Sequence, residues 1–111
     1  MTGPTAPAAI QRFIDTTNDS DTDGFLDVFT DNAVLIDWGR VFQGRAAIAQ
    51  WNETDNIGVH THFELKALLV EDEHATYTAT LKVSGDGFNG TGPMTFKLRG
   101  DQIEALTITS A

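Results

Sequence analysis

The chain has 111 residues, no cysteine, 41% apolar and 21% charged residues, and sixteen acids against seven bases for a net charge of −9. That balance describes one globular domain, 1–111, with apolar content enough for a single core and too high for disorder. The acidic excess excludes the clustered Lys and Arg that nucleic acid or an anionic membrane would need as a partner, and no apolar run approaches a membrane span. Lack of cysteine removes disulfide and thiolate chemistry, and the start MTGPTAPAA has no basic, apolar leader, so a cytoplasmic protein is expected.

Thr5 suits an N-cap with Pro7 in the first turn, and Ala6, Ile10, Phe13, Ile14 and Thr17 follow helical spacing over roughly three turns. Cap and turn residues from Asn18 to Asp21 end that helix. A second short one presents Phe25, Leu26 and Phe29 on one side despite Gly24. Ala33 to Trp38 reads as a strand rich in β-branched residues, followed by a helix opening after Gly44 with Ala47, Ile48 and Trp51 as its buried stripe. Within that strand Asp37 shares a face with Ala33 and Leu35, because side chains alternate. A carboxylate pointing the same way as a core leucine is the most informative feature of the chain.

Asp55 to Gly58 reads as a loop, and HTHFELKALLVEDEHATYTATLKV then alternates as a hairpin. Phe63, Leu65, Ala67 and Leu69 share one side of its first strand; Ala75, Tyr77, Ala79, Leu81 and Val83 share one side of the second. The acidic turn Glu71 to His74 joins them. Ser84 to Pro93 is a glycine-rich loop; Met94, Phe96 and Leu98 belong to a further strand; Ile103, Leu106 and Ile108 belong to the last, after a turn at Gly100-Asp101. Helices gathered before about four long antiparallel strands make an α+β domain, a cone-shaped curved sheet wrapped around N-terminal helices, with an interior able to hold a small molecule.

Three motifs resemble sites without meeting their physical requirements. Asp19 to Gly24 imitates half a calcium loop, but the twelfth position, which needs a bidentate Glu, is Thr30; surface carboxylates at a helix start explain the same letters. Gly85 to Gly90 satisfies G-x-G-x-x-G, yet a strand and not a helix follows, and Asp86 would repel phosphate. His60, His62 and Glu64 could offer ligands, but nothing else in the sequence completes a metal site, so neither a metal nor any other cofactor is assigned. His60 or His62 remains a candidate acid or base beside a bound ligand.

The run IQRFIDTTNDSDTDGFLDVFTDNAVLIDW followed by GRAAIAQW resembles the nuclear transport factor 2-like superfamily, a cystatin-like fold. It is most similar to the branch of the bacterial steroid Δ5-3-ketoisomerases and the SnoaL-like polyketide cyclases. The resemblance covers the whole element order and implies a cone-shaped α+β barrel, a homodimer through the outer sheet face, and a ligand pocket inside the cone. It places the isomerases' general base at Asp37. Their oxyanion tyrosine falls on Phe13, a further tyrosine on Asn52, and their protonated Asp on Met94 or Thr95, with Met94 preferred because it keeps the inward face apolar. The base is retained and the electrophilic half is absent, so efficient steroid isomerisation is not implied. An epoxide-hydrolase reading would need an Asp–Arg–Asp relay; Arg40 and Arg45 are near Asp37 in sequence, but no second Asp is identified.

The expected function is proton transfer on a small hydrophobic carbonyl compound, isomerase- or cyclase-like, with Asp37 as base assisted by His60 or His62. A carboxylate desolvated in an apolar hollow titrates higher and suits proton abstraction near neutral pH. Phe13, Phe29, Trp51, Asn52, Phe63, Tyr77 and Met94 are the expected pocket lining. The alternatives are a non-catalytic binder of a small apolar ligand and a dimerisation module.

Overall fold

The computed structural model describes residues 6–72 and 75–109. Helix α1 (Ala8–Asn18) buries Ile10, Phe13, Ile14 and Thr17, the stripe that its spacing dictates. Pro7 stands at its N-cap and supplies no side-chain bond; Thr5, expected there, lies outside the described residues. Helix α2 (Thr22–Asp27) is capped by Asp21, whose Oδ1 accepts from the backbone N–H of Gly24 at 3.0 Å. The carboxylate that begins to look like a calcium ligand is a helix cap.

Strand β1 (Phe29–Asp37) begins at Phe29 rather than Ala33. Phe29 pairs with Ile103 from far along the chain, and the intervening Thr30, Asp31 and Asn32 carry little strand signal of their own. At its other end Trp38 and Gly39 take φ of +53° and +86°, as in a type I′ hairpin turn. The chain returns as β2 (Arg40–Gln43), a strand the sequence pattern does not announce, and Arg40 pairs directly opposite Asp37.

Helix α3 (Gly44–Asp55) buries Ile48, Trp51 and Asn52, and a single 3₁₀ turn (Ile57–Val59) leads into β3 (His62–Asp72). Strands β4 (Thr76–Ser84), β5 (Gly90–Arg99) and β6 (Gln102–Ile108) complete a six-stranded sheet in the order β2-β1-β6-β5-β4-β3. All neighbours are antiparallel except β1 and β6, which run parallel. The sheet is curved and unclosed, with β2 and β3 as its edges.

One predicted alternation breaks. A register shift between Leu65 and Ala67 inserts Lys66 as a bulge, so Leu68 packs on the core while Ala67 and Leu69 turn outward. The core itself centres on Phe13, whose ring lies 5.1–6.3 Å from those of Phe63, Phe96, Phe25 and Phe29. Such aromatic pairs each add about 0.5–1.5 kcal/mol beyond burial alone.

Candidate functional site

A cavity of about 270 Å³ opens between the concave side of the sheet and the C-terminal half of α3. Its apolar walls include Phe63, Val83, Met94 and Ile108, inward residues of β3, β4, β5 and β6. Its charged wall is Asp37 at the end of β1, Arg40 at the start of β2, and Asp55 at the end of α3. Trp38 and Phe88, both exposed, stand on its lining with ring centroids 6.4 Å apart.

Asp37 is held rather than free. Its Oδ2 accepts from Arg40 Nη2 at 2.8 Å and from the indole Nε1–H of Trp51 at 2.9 Å, and its side chain is 14% exposed. Arg40 Nη2 also lies 3.3 Å from Asp55 Oδ2, so one guanidinium joins two carboxylates. The short turn at Trp38-Gly39 creates this arrangement, since it brings Arg40 back opposite Asp37. Asp55, which the sequence reading does not single out, is the second carboxylate on that guanidinium. Trp51 and Asp55 are four apart on α3 and therefore share a face, which is the only sequence signal that would have found it. Both protein hydrogen bonds of Asp37 fall on Oδ2; Oδ1 has no partner among the described residues.

The remaining expected residues divide sharply. Trp51, Phe63 and Met94 line the cavity with Asp37. Phe13 and Phe29 do not: their rings are fully buried in the aromatic core, packed against one another and against Phe25. Asn52 is buried beside the cavity but turned to the helix end, where its Oδ1 accepts from Asn56 Nδ2 at 3.0 Å. Tyr77 pairs opposite Phe96 and lies six residues along β4 from Val83, about 20 Å at strand rise. Of the two alternatives for the isomerases' second donor, Met94 faces the cavity; Thr95 faces outward, its hydroxyl 3.1 Å from that of Thr78.

Neither histidine lines the cavity. His60 is exposed in a left-handed conformation, φ +57°, with Nδ1 2.8 Å from Asp86 Oδ2. His62 is exposed on the outer face, as it must be when Phe63 points inward. Glu64 shares that outer face, and Lys66 beside it holds its carboxyl below the usual carboxylate range, first through their hydrogen bond and then through its charge. Among the described residues no three His, Asp or Glu side chains gather as metal ligands. The inward residue of the His60–Thr61–His62 run is Thr61, which the sequence reading passes over. Gly85 to Asn89 forms the loop between β4 and β5, closed on itself by Asn89, whose Nδ2 donates to the carbonyls of Gly85 and Gly87, and Gly90 begins β5.

A curved sheet open at both edges and folded against α3 is the nuclear transport factor 2-like fold. The SnoaL-like domain family matches residues 10–106, and the chain belongs to that family. A Sinorhizobium meliloti protein named as a polyketide cyclase superposes with a TM-score of 0.82 at 25% identity, over 92% of this chain and 94% of its own. The Δ5-3-ketosteroid isomerase of a Mycobacterium species gives 0.80 at 19% identity, over 94% and 91%. A Mycobacterium tuberculosis protein solved with estradiol-17beta-hemisuccinate gives 0.80 at 16%, over 93% and 92%. No match was found among curated protein sequences. Among the described residues no helix is long and apolar enough to cross a membrane.

Proposed function

We propose that this SnoaL-like protein binds a small hydrophobic carbonyl compound and moves a proton on it, as an isomerase or cyclase does, with Asp37 as the base. The observation that carries the reading is the state of that carboxylate. It is largely withdrawn from water at the wall of an apolar cavity, anchored through Oδ2, and open at Oδ1. Oδ1 takes the proton from the carbon beside the carbonyl. The C–H electron pair becomes a C=C bond and the carbonyl oxygen takes up the negative charge. Arg40 Nε and Nη1 have no protein partner among the described residues and are the donors available to that oxygen. Return of the proton to another carbon completes an isomerisation; attack of the enolate carbon on a second carbonyl of the same molecule closes a ring, and the alkoxide formed there takes the proton back from Asp37. The fold neighbours named for cyclase and isomerase chemistry, and the one solved with a steroid ester, are in keeping with such a ligand.

The pairing of Asp37 with Arg40 favours a second reading, a non-catalytic binder, because the ion pair already satisfies the charge. Calorimetric binding of 1-tetralone to wild type and Asp37→Asn, run beside solvent deuterium uptake by the ketone, separates the two. Proton transfer requires uptake that the variant loses while binding persists; binding alone requires no uptake in either.

The assembly proposed is a homodimer through the outer sheet face. That face carries exposed Val41 and Leu69 at its two edges and half-buried Val34, Ile36, Thr78, Thr80, Thr95 and Thr107 between them, with Lys97 and the Glu71 carboxylate, which accepts from Thr78 Oγ1 at 2.8 Å, as charges on the same face. A cytoplasmic location is proposed with it, in keeping with a cysteine-free chain.

A further inference from the structure

The wall of the cavity formed by Asn56 and Thr61 carries polar groups that the proton-transfer reading leaves unused. Asp37 belongs to β1 and Thr61 stands at the head of β3, four strands away in the sheet order, with inward residues of β6, β5 and β4 between them. Thr61 is 6% exposed and lines the cavity, yet its hydroxyl has no hydrogen-bond partner among the described residues. Asn56 is 1% exposed, also lines the cavity, and is tied to Thr61 by the 3.1 Å bond from the Thr61 N–H to its carbonyl.

The orientation of the Asn56 amide is fixed by its neighbours. The backbone N–H of Ile57 points at Asn52 Oδ1, so that atom is an acceptor, and the Asn56 atom 3.0 Å from it must be the Nδ2 donor. Nδ2 also donates to Thr17 Oγ1 at 3.0 Å, which spends both of its hydrogens. Asn56 Oδ1 is left as a buried acceptor with no partner among the described residues, closed off from the cavity space on the side of Asn52 and Thr17. The polar group that this wall offers to a ligand is therefore the Thr61 hydroxyl, inside the cavity and unpaired, and an unpaired donor at the wall of an apolar pocket points to a polar function on the ligand.

We infer that the ligand carries two oxygen functions on an apolar body: the carbonyl that meets Asp37 and Arg40, and a hydroxyl at its far end. That hydroxyl pairs with Thr61 Oγ1, which makes Thr61 a specificity-determining residue. The inference rests on the proton-transfer reading for the placement of the carbonyl.

The test is titration calorimetry of 1-tetralone and 6-hydroxy-1-tetralone, which share a skeleton and differ by one hydroxyl para to the carbonyl attachment. Wild type is expected to bind the hydroxy ketone about tenfold more tightly, the value of roughly one well-made hydrogen bond. Thr61→Val, which keeps the shape and removes the hydroxyl, is expected to bind the two ketones with equal affinity. Thr61→Ser is expected to retain the preference, and serves alone against wild type if the valine variant does not fold. Equal binding of the two ketones by wild type, a preference that survives in Thr61→Val, or a preference lost in Thr61→Ser overturns the inference and leaves the role of Asp37 standing. Failure of wild type to bind either ketone overturns both.

Discussion

The indole N–H of Trp51 donates to Asp37 Oδ2 at 2.9 Å, and this bond ties the face of α3 to the end of β1. Trp51 is buried, so the bond is shielded from water. Trp51→Phe keeps an aromatic ring and removes the donor. The expected cost is about 1.5–3 kcal/mol, as for a hydrogen bond to a charged group. It should appear as a lowered midpoint in urea unfolding with an unchanged slope, together with slower proton transfer because the carboxylate loses one of its two anchors.

Arg40 sits between Asp37 and Asp55, and its removal leaves two carboxylates facing one cavity without a cation. Arg40 is 55% exposed, so solvent screens the pair and the expected loss for Arg40→Met is only about 1 kcal/mol of stability. The functional loss is expected to be larger than the stability loss, since the same guanidinium is the donor proposed for the enolate oxygen. Urea unfolding and deuterium uptake measured on the one variant compare the two directly.

The resemblance to the isomerases sets Phe13 against their oxyanion tyrosine, which suggests Phe13→Tyr as a gain of function. The structure argues otherwise. Phe13 is fully buried among four phenylalanine rings, and its ring does not line the cavity. A hydroxyl placed there lacks a partner, so the expected result is a loss of about 1–3 kcal/mol with no gain in proton transfer. Thermal unfolding and the exchange rate test both halves.

Much of this site is legible in the sequence, and the remainder is hidden for identifiable reasons. Alternation alone puts Asp37 on the face of Leu35, which is why the acid can be found without a structure. The return of Arg40 beside it depends on a turn made by Trp38-Gly39. That pair lacks the Asn-Gly or Asp-Gly signature of such turns, so β2 passes unnoticed. The same alternation places Thr61 inward whenever Phe63 is inward, but imidazole chemistry draws the reading to His60 and His62 instead. Composition cannot separate a core aromatic from a lining one: Phe13, Phe29 and Phe63 are alike as letters, and only the packing of α1 against the sheet sets Phe63 at the cavity and the other two away from it. The parallel pairing of β1 with β6 joins residues more than seventy positions apart at Phe29 and Ile103, beyond the reach of any local pattern.

The outer sheet face carries its own prediction. A homodimer through that face buries Val41 and Leu69, both now exposed, and Leu69→Glu places a charge at its β3 edge. Light scattering at micromolar concentration is expected to give twice the chain mass for wild type and the chain mass for the variant. A wild-type monomer under those conditions removes the proposed dimer.

The central claim is that Asp37 takes a proton from carbon, and deuterium incorporation measures that step itself. Protein is incubated with 1-tetralone in D₂O at neutral pD, and loss of the ¹H signal beside the carbonyl is followed by NMR. Wild type is expected to exchange that position well above the buffer rate, and Asp37→Asn, which keeps the shape of the side chain, to fall by a factor on the order of 10²–10⁴, the usual contribution of a positioned base. Exchange by wild type no faster than buffer, or equal exchange by the two proteins, contradicts the account.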